Sequence, residues 1–209
     1  MITEIYPSLY LLRDALPAEP AQFVYLLRHP AGVVIFGTKA DLSAHYAEIR
    51  ALGKITHVLL GDRHHATKYT AQLAAHFEVP MSASQVEASA LKGMTVGAIV
   101  PFRRTQILPG LEAIPTPGHT PGALSYLWTH GGRRFLFVGD TIVPVDGEWQ
   151  YWVSKANLSV MRESMRLLAT LDADVILSNS FAATPTAWVE VSPSARVQLF
   201  ADLDRRLVP

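Results

Sequence analysis

An α/β (α+β) fold, with two mixed β-sheets face to face and helices on their outer sides, is what this 209-residue chain predicts. Three observations point to it. Short runs rich in Val, Ile, Leu, Phe and Tyr recur in both halves, punctuated by Pro and Gly, as strands and tight turns require. Stretches with apolar residues at helical spacing follow them. The apolar runs 55–60 and 175–177 suit strands buried on both faces.

Taken in order, residues 8–12, 22–28 and 32–36 read as a meander of strands separated by Pro17, Pro20, Pro30 and Gly32. Asp41 is placed to cap a helix carrying Leu42, Tyr46, Ile49 and Leu52, with Gly53 at its end. After the buried run 55–60, which is broken only by Thr56 and His57, a second helix spans about 67–77 and stops at Val79-Pro80. The second half repeats the pattern. Strands are expected at 111–115, 123–129 and 133–138, with Gly131-Gly132 as a hairpin turn. A helix over 157–171 buries Leu158, Met161, Met165, Leu168 and Leu171. Ser192-Pro193 opens a last helix, Ser as cap and Pro in the first turn, carrying Val197, Phe200 and Leu207. The expected organisation is one domain over 1–209 whose halves, roughly 1–95 and 96–209, are pseudo-repeats.

Composition narrows the function. Hydrophobic residues make up 49% and charged ones 17%, enough apolar material for a sizeable core and too much for a disordered chain. Lys+Arg and Asp+Glu balance at 18 each, which argues against nucleic acid or a membrane surface as partner and leaves a small-molecule substrate or ligand. No Cys occurs, so a metal has to be held by His and carboxylates. No run approaches the roughly 18–20 apolar residues of a membrane helix, and Met1-Ile2-Thr3-Glu4 does not open an export signal, so a cytoplasmic protein is expected.

Three segments carry chemistry-bearing residues at the ends of strands. Gly61-Asp62-Arg63-His64-His65-Ala66-Thr67 closes a buried strand and opens a helix. Thr116-Pro117-Gly118-His119-Thr120-Pro121-Gly122 is a rigid turn presenting one imidazole between two Pro-Gly pairs. Gly139-Asp140 places a carboxylate just after an apolar strand. Loops at strand ends are positioned by a rigid scaffold, which suits ligand-handling groups.

With these segments the chain resembles the metallo-β-lactamase fold superfamily, in particular its small glyoxalase II-like hydrolases, over nearly its whole length. That family carries Thr-His-x-His-x-Asp-His after a buried strand, a Thr-Pro-Gly-His-Thr-Pro-Gly turn, Gly-Asp after a strand and a late Pro-Gly-His. The resemblance implies a four-layer αββα sandwich. The second motif matches in full and the third as Gly139-Asp140. In the first, His64 stands at the second His, but Asp62 stands at the first, Ala66 at the Asp and Thr67 at the third His. In the fourth, Ser180 stands at the His.

The resemblance therefore implies a site for one metal, made by His64, His119, Asp62 and Asp140. The ligands of a second metal are replaced by Ala66, Thr67 and Ser180. Two imidazoles and two carboxylates suit zinc, and two His with a carboxylate also suit iron or manganese. Such an ion acidifies a bound water and polarises a carbonyl, so the implied activity is hydrolysis of a small ester, thioester or lactone. The alternative is a family member without catalysis or metal that serves as a binding or scaffolding protein.

Each residue also has a structural reading. His64 suits a capping position in the turn, Asp62 a helix cap, and Asp140 a cap for the amides of Thr141 and Ile142. Arg63 is placed to pair with Asp62 or Asp140 and fill the metal position with a guanidinium. His65, next to His64, is expected to face solvent, and His57 to be a hydrogen-bonded core residue. Trp149, in the run Trp149-Gln150-Tyr151-Trp152, reads as a pocket wall or as packing, and leaves room for a homodimer.

Overall fold

The computed structural model describes residues 2–13, 21–91, 94, 96–179, 181–182 and 187–207. The first half contains strands β1 (Ile2–Tyr6), β2 (Leu9–Arg13), β3 (Ala21–His29) and β4 (Gly32–Phe36). Helix α1 (Tyr46–Ala51), strand β5 (Ile55–Leu59), helix α2 (Lys68–His76) and strands β6 (Met81–Ser84) and β7 (Val96–Val100) follow. The second half begins with β8 (Thr105–Leu108), β9 (Leu111–Pro115), β10 (Leu124–His130) and β11 (Arg133–Phe137). A small hairpin, β12 (Val143–Val145) and β13 (Glu148–Gln150), leads to helix α3 (Leu158–Thr170). Strands β14 (Val175–Leu177), β15 (Phe181–Ala182) and β16 (Trp188–Glu190) and helix α4 (Pro193–Arg206) complete it.

Two mixed sheets result. The first runs β1-β2-β3-β4-β5-β6-β7, with β15 pairing to β3, and the second runs β16-β14-β11-β10-β9-β8. In the first, the β1 to β4 pairings are antiparallel and those from β4 to β7 parallel. In the second, β11 and β14 pair in parallel and the other neighbours antiparallel. Strand alternation builds the layers. Phe23, Tyr25 and Leu27 of β3, with Phe36 of β4, meet Tyr126 and Trp128 of β10 and Phe137 of β11 between the sheets. Val24, Leu26 and Ile35 face outward onto Ile49 of α1 and Leu73 of α2. Leu127, Leu136 and Ile176 face Met161, Met165 and Leu168 of α3 and Phe200 and Leu203 of α4. The four-layer αββα sandwich follows, since each sheet is apolar on both faces.

Ser192 caps its helix as the sequence implies, and Thr67 caps another. Thr67 Oγ1 accepts from the Thr70 amide, and Ser192 Oγ accepts from the Ala195 amide with Pro193 in the first turn. Asp41 instead accepts from the Ser43 amide ahead of a short 3₁₀ turn, so α1 starts at Tyr46. Ser8, expected in a strand, lies in the β1–β2 turn with φ 66°. The strands that the apolar pattern does not announce are β1, β6, β7, β8, β12, β13, β15 and β16, and they include the outermost strands of both large sheets. Of these, β7 alternates in exposure, with Gly97 and Ile99 on an uncovered face although its sequence is apolar throughout. Within the described residues, no helix is long and apolar enough to cross a membrane.

Candidate metal centre

Strands β4, β5, β11 and β14 end on the same side of the two sheets, and the groups that follow them converge. Beyond β5, the Leu60 and Gly61 carbonyls accept from Tyr126 Oη and the Leu124 amide, tying this loop to the opposite sheet. Gly61 and Gly139 face each other closely: a Cβ added at Gly61 would lie 3.7 Å from the Gly139 Cα. Gly139 has φ 57°, a conformation that favours glycine, and it turns the chain so that Asp140 enters the site.

The His119 turn is fixed from outside. Ser164 Oγ of α3 donates to the Pro117 carbonyl at 2.6 Å and Asn157 Nδ2 to the Gly118 carbonyl at 3.1 Å. A Cβ at Gly118 would lie 2.5 Å from Met161 Sδ, so the turn packs directly on α3. His119 Nδ1 lies 2.9 Å from the Trp152 carbonyl, which can only accept. The proton therefore sits on Nδ1 and leaves the lone pair on Nε2 facing the site.

Around that lone pair stand the other three groups. His64 Nδ1 lies 3.0 Å from His119 Nε2. Asp62 Oδ1 lies 3.6 Å from His64 Nδ1, and Asp62 Oδ2 and Asp140 Oδ2 lie 3.9 and 3.7 Å from His119 Nε2. One ligand atom from each of the four falls within 4.8 Å of the others. Donors around a tetrahedral ion with bonds of about 2.0–2.2 Å sit roughly 3.3–3.6 Å apart, and the 3.6 and 3.7 Å separations fall close to that range, so the four groups could hold a metal ion. Asp140 Oδ1 is buried without a hydrogen bond among the described residues and faces His65 Nε2 at 3.5 Å, whereas Oδ2, the oxygen near His119, accepts from Lys39 Nζ. His64, 48% exposed, opens the cluster to solvent, while both carboxylates are buried.

Several neighbours differ from the sequence reading. His65 does not face solvent: it is 0% exposed, between Asp62 Oδ1 at 3.3 Å and Asp140 Oδ1 at 3.5 Å. The 3₁₀ turn at Arg63–His65 points the two adjacent imidazoles in different directions, and Gly37 makes room for the buried ring. Burial works against charge on His65, yet the Asp140 and Asp62 carboxylates outweigh it and raise its pKa. Burial likewise opposes ionisation of Asp62, but His65, ahead of His119 and His64, holds its pKa well below the carboxylate range. Asp140 is lowered too, with His65 and Lys39 overcoming burial and the repulsion from Asp62.

Arg63 pairs with neither site carboxylate; its Nε donates to Glu87 Oε2 at 2.5 Å. The cation on Asp140 is Lys39, whose Nζ lies 2.7 Å from Oδ2. Lys39 follows β4 with no local motif to announce it, as Glu87 follows β6, so both escaped the sequence reading. Asp62 does act as a cap, Oδ1 accepting from the His64 amide at 2.7 Å, and the same carboxylate faces the cluster. Thr67 serves as the α2 cap and donates to the Thr38 carbonyl, and Ala66 packs against the Leu60, Ala83 and Leu91 cluster. Trp149 is half-buried on the α3–α4 cluster, its carbonyl accepting from Arg206. Its segment reaches the site instead through the carbonyl of Trp152, whose residue is 49% exposed. His57 is half-buried against Thr56 Oγ1. Ser180 lies outside the described residues.

The sequence profile of the metallo-beta-lactamase superfamily matches residues 54–178, more than half of the chain. The chain belongs to that superfamily. Within it the fold is similar to that of DIM-1 metallo-beta-lactamase, with TM-score 0.79, 12% identity, and coverage of 100% of this chain and 98% of that one. A B3 metallo-beta-lactamase described as having an active-site glutamic acid gives 0.72 at 20% identity, covering 99% and 88%. A Cronobacter sakazakii metallo-beta-lactamase with a HARLDQ motif gives 0.69 at 20%, covering 98% and 91%. At these identities the likeness concerns the fold. No curated protein matches the chain at the sequence level. The superfamily match ends just before Ser180, and it contains every residue of the cluster but not Lys39.

Proposed function

We propose that this member of the superfamily is a metal-dependent hydrolase of a small ester, thioester or lactone, working with a single divalent ion. The observation that carries this reading is the convergence of His64, His119, Asp62 and Asp140, with the His119 lone pair directed inward by the Trp152 carbonyl. An ion on these groups would polarise a substrate carbonyl and acidify a water molecule. Zinc suits the donors best, iron or manganese next. Ala66, Thr67 and Ser180 supply no second set of ligands. Of the chain's own groups, His119 and Asp62 are held by hydrogen bonds before any ligand arrives, and Lys39 steadies the Asp140 carboxylate. The half-exposed His64 and exposed Trp152 mark the side from which substrate would enter.

A second reading rests on Lys39. Its ammonium lies on Asp140, and His65 sits between the two buried carboxylates, so part of their charge is offset without any ion, as a binding protein that has given up catalysis would require. Elemental analysis of tag-free protein separates the two. Near one equivalent of metal, lost in His119→Ala together with hydrolysis of a panel of esters, thioesters and lactones, supports the hydrolase. Metal that stays negligible after zinc is added back, with no turnover, sinks it in favour of the binding protein.

A further inference from the structure

Glu87 stands on neither of the loops that carry the four clustered residues, yet it touches both. It follows β6, where its own amide donates to Ser84 Oγ at 3.2 Å, and it is 1% exposed. Arg63, the residue between Asp62 and His64, donates to Glu87 Oε2 at 2.5 Å. The Gly122 amide, three residues beyond His119, donates to Oε1 at 2.7 Å. A Cβ at Gly122 would lie 2.6 Å from Ser84 Oγ and 2.7 Å from Glu87 Cγ, so the second Pro-Gly of the turn admits this carboxylate at close range.

We infer that Glu87 is a positioning residue for the metal centre. Its carboxylate ties the Asp62–His64 loop of the first sheet to the His119 turn of the second, and so sets the separation of the two imidazoles. Two charge-assisted hydrogen bonds in a buried setting are stiff and directional, which suits a carboxylate better than an amide or a methyl group. His64 Nδ1 and His119 Nε2 stand 3.0 Å apart although their loops leave different sheets. Besides the Glu87 clamp, that register rests on the Gly61–Leu124 backbone bond and the Tyr126–Leu60 bond, which hold the base of the first loop rather than its tip. The metal half of this inference rests on the proposed function; the imidazole half does not.

The test uses Glu87→Gln, which keeps an acceptor for the Gly122 amide, together with Glu87→Ala and Arg63→Ala, which remain informative if one variant fails to fold. Zinc affinity is measured by competition with a chromophoric chelator, and imidazole ¹⁵N shifts of His64 and His119 are recorded on the metal-free proteins. Residues that orient metal ligands typically contribute about 10–100-fold in affinity, so Glu87→Ala should weaken zinc by that range and Glu87→Gln by less. Both imidazoles should shift in Glu87→Ala without metal. A purely structural role would lower the melting temperature while leaving zinc affinity and imidazole shifts as in the wild type, and that result overturns the inference. A wild type that takes up no zinc sinks the hydrolase reading alone, and the imidazole shifts then decide the role of Glu87.

Discussion

Replacing Lys39 by Met isolates the cation that the tertiary structure puts on Asp140. The ion pair spans 2.7 Å, with Asp140 4% exposed and Lys39 19% exposed at their side chains. Removing one partner of a fully buried pair costs about 3–5 kcal/mol, because the remaining charge is left in a poorly solvated place. Here water reaches the ammonium, and His65 stays 3.5 Å from the other carboxylate oxygen, so both circumstances reduce the cost. The expected loss is about 2–3 kcal/mol for metal-free protein, a fall in melting temperature of roughly 4–12 °C for a chain of this size. An ion bound to the cluster supplies the missing positive charge, and the deficit should then shrink to under about 1 kcal/mol in saturating zinc. Urea unfolding of wild type and Lys39→Met, each with chelator and with zinc, measures the four stabilities. A metal-free loss below about 0.5 kcal/mol would refute the view that Lys39 neutralises a buried carboxylate. A loss that zinc leaves unchanged would show that no ion takes over its role.

Other outcomes follow from the same contacts. Gly118→Ala places a methyl group 2.5 Å from Met161 Sδ at φ 148°, so overpacking and backbone strain together should cost about 2–4 kcal/mol by thermal melting. Gly131→Ala, at φ 57° with nothing within 4 Å, should cost only about 1 kcal/mol, and equal losses in the two variants would contradict the packing of the turn on α3. On α4, Asp204 accepts from Arg162 Nε at 2.8 Å and Arg166 Nε at 3.2 Å, and the Arg162 hydrogen bond lowers its pKa despite some burial. A lowered folded pKa stabilises the protein above the unfolded value near 3.9, and that contribution is lost as pH falls through the folded value. Asp204→Asn should therefore flatten stability against pH on the acid side by no more than about 1 kcal/mol, because the pair is largely solvated. An unchanged acid profile would remove Asp204 from the α3–α4 contact.

Much of the fold was legible because both sheets are apolar on both faces. Runs such as Phe23 to Leu27 and Val33 to Phe36 show as near-continuous hydrophobic stretches. Strand β8 carries mixed polarity, and β7, although free of polar residues, holds the small Gly97 and Ala98 at its centre; neither gave such a signal. The candidate site was half legible. The three segments stand out because each follows an apolar strand and carries glycine at a turn, and within them the family resemblance singles out Asp62, His64, His119 and Asp140. The fate of His65 and Arg63 was not readable. Which of two adjacent side chains faces the core depends on φ and ψ in a three-residue 3₁₀ turn, and on the room left by Gly37 just beyond β4.

The layers and the strand-end turns are thus properties of the linear pattern, since period and glycine placement are local quantities, while the four clustered residues were read through the motifs of the family. The partners of the charges were legible in neither. Lys39 reaches Asp140 across 101 residues, and Glu87 joins Arg63 and Gly122 across 24 and 35. A buried charge takes whichever opposite charge the packed sheets bring within about 3 Å, and that choice is made only when the two sheets close on each other.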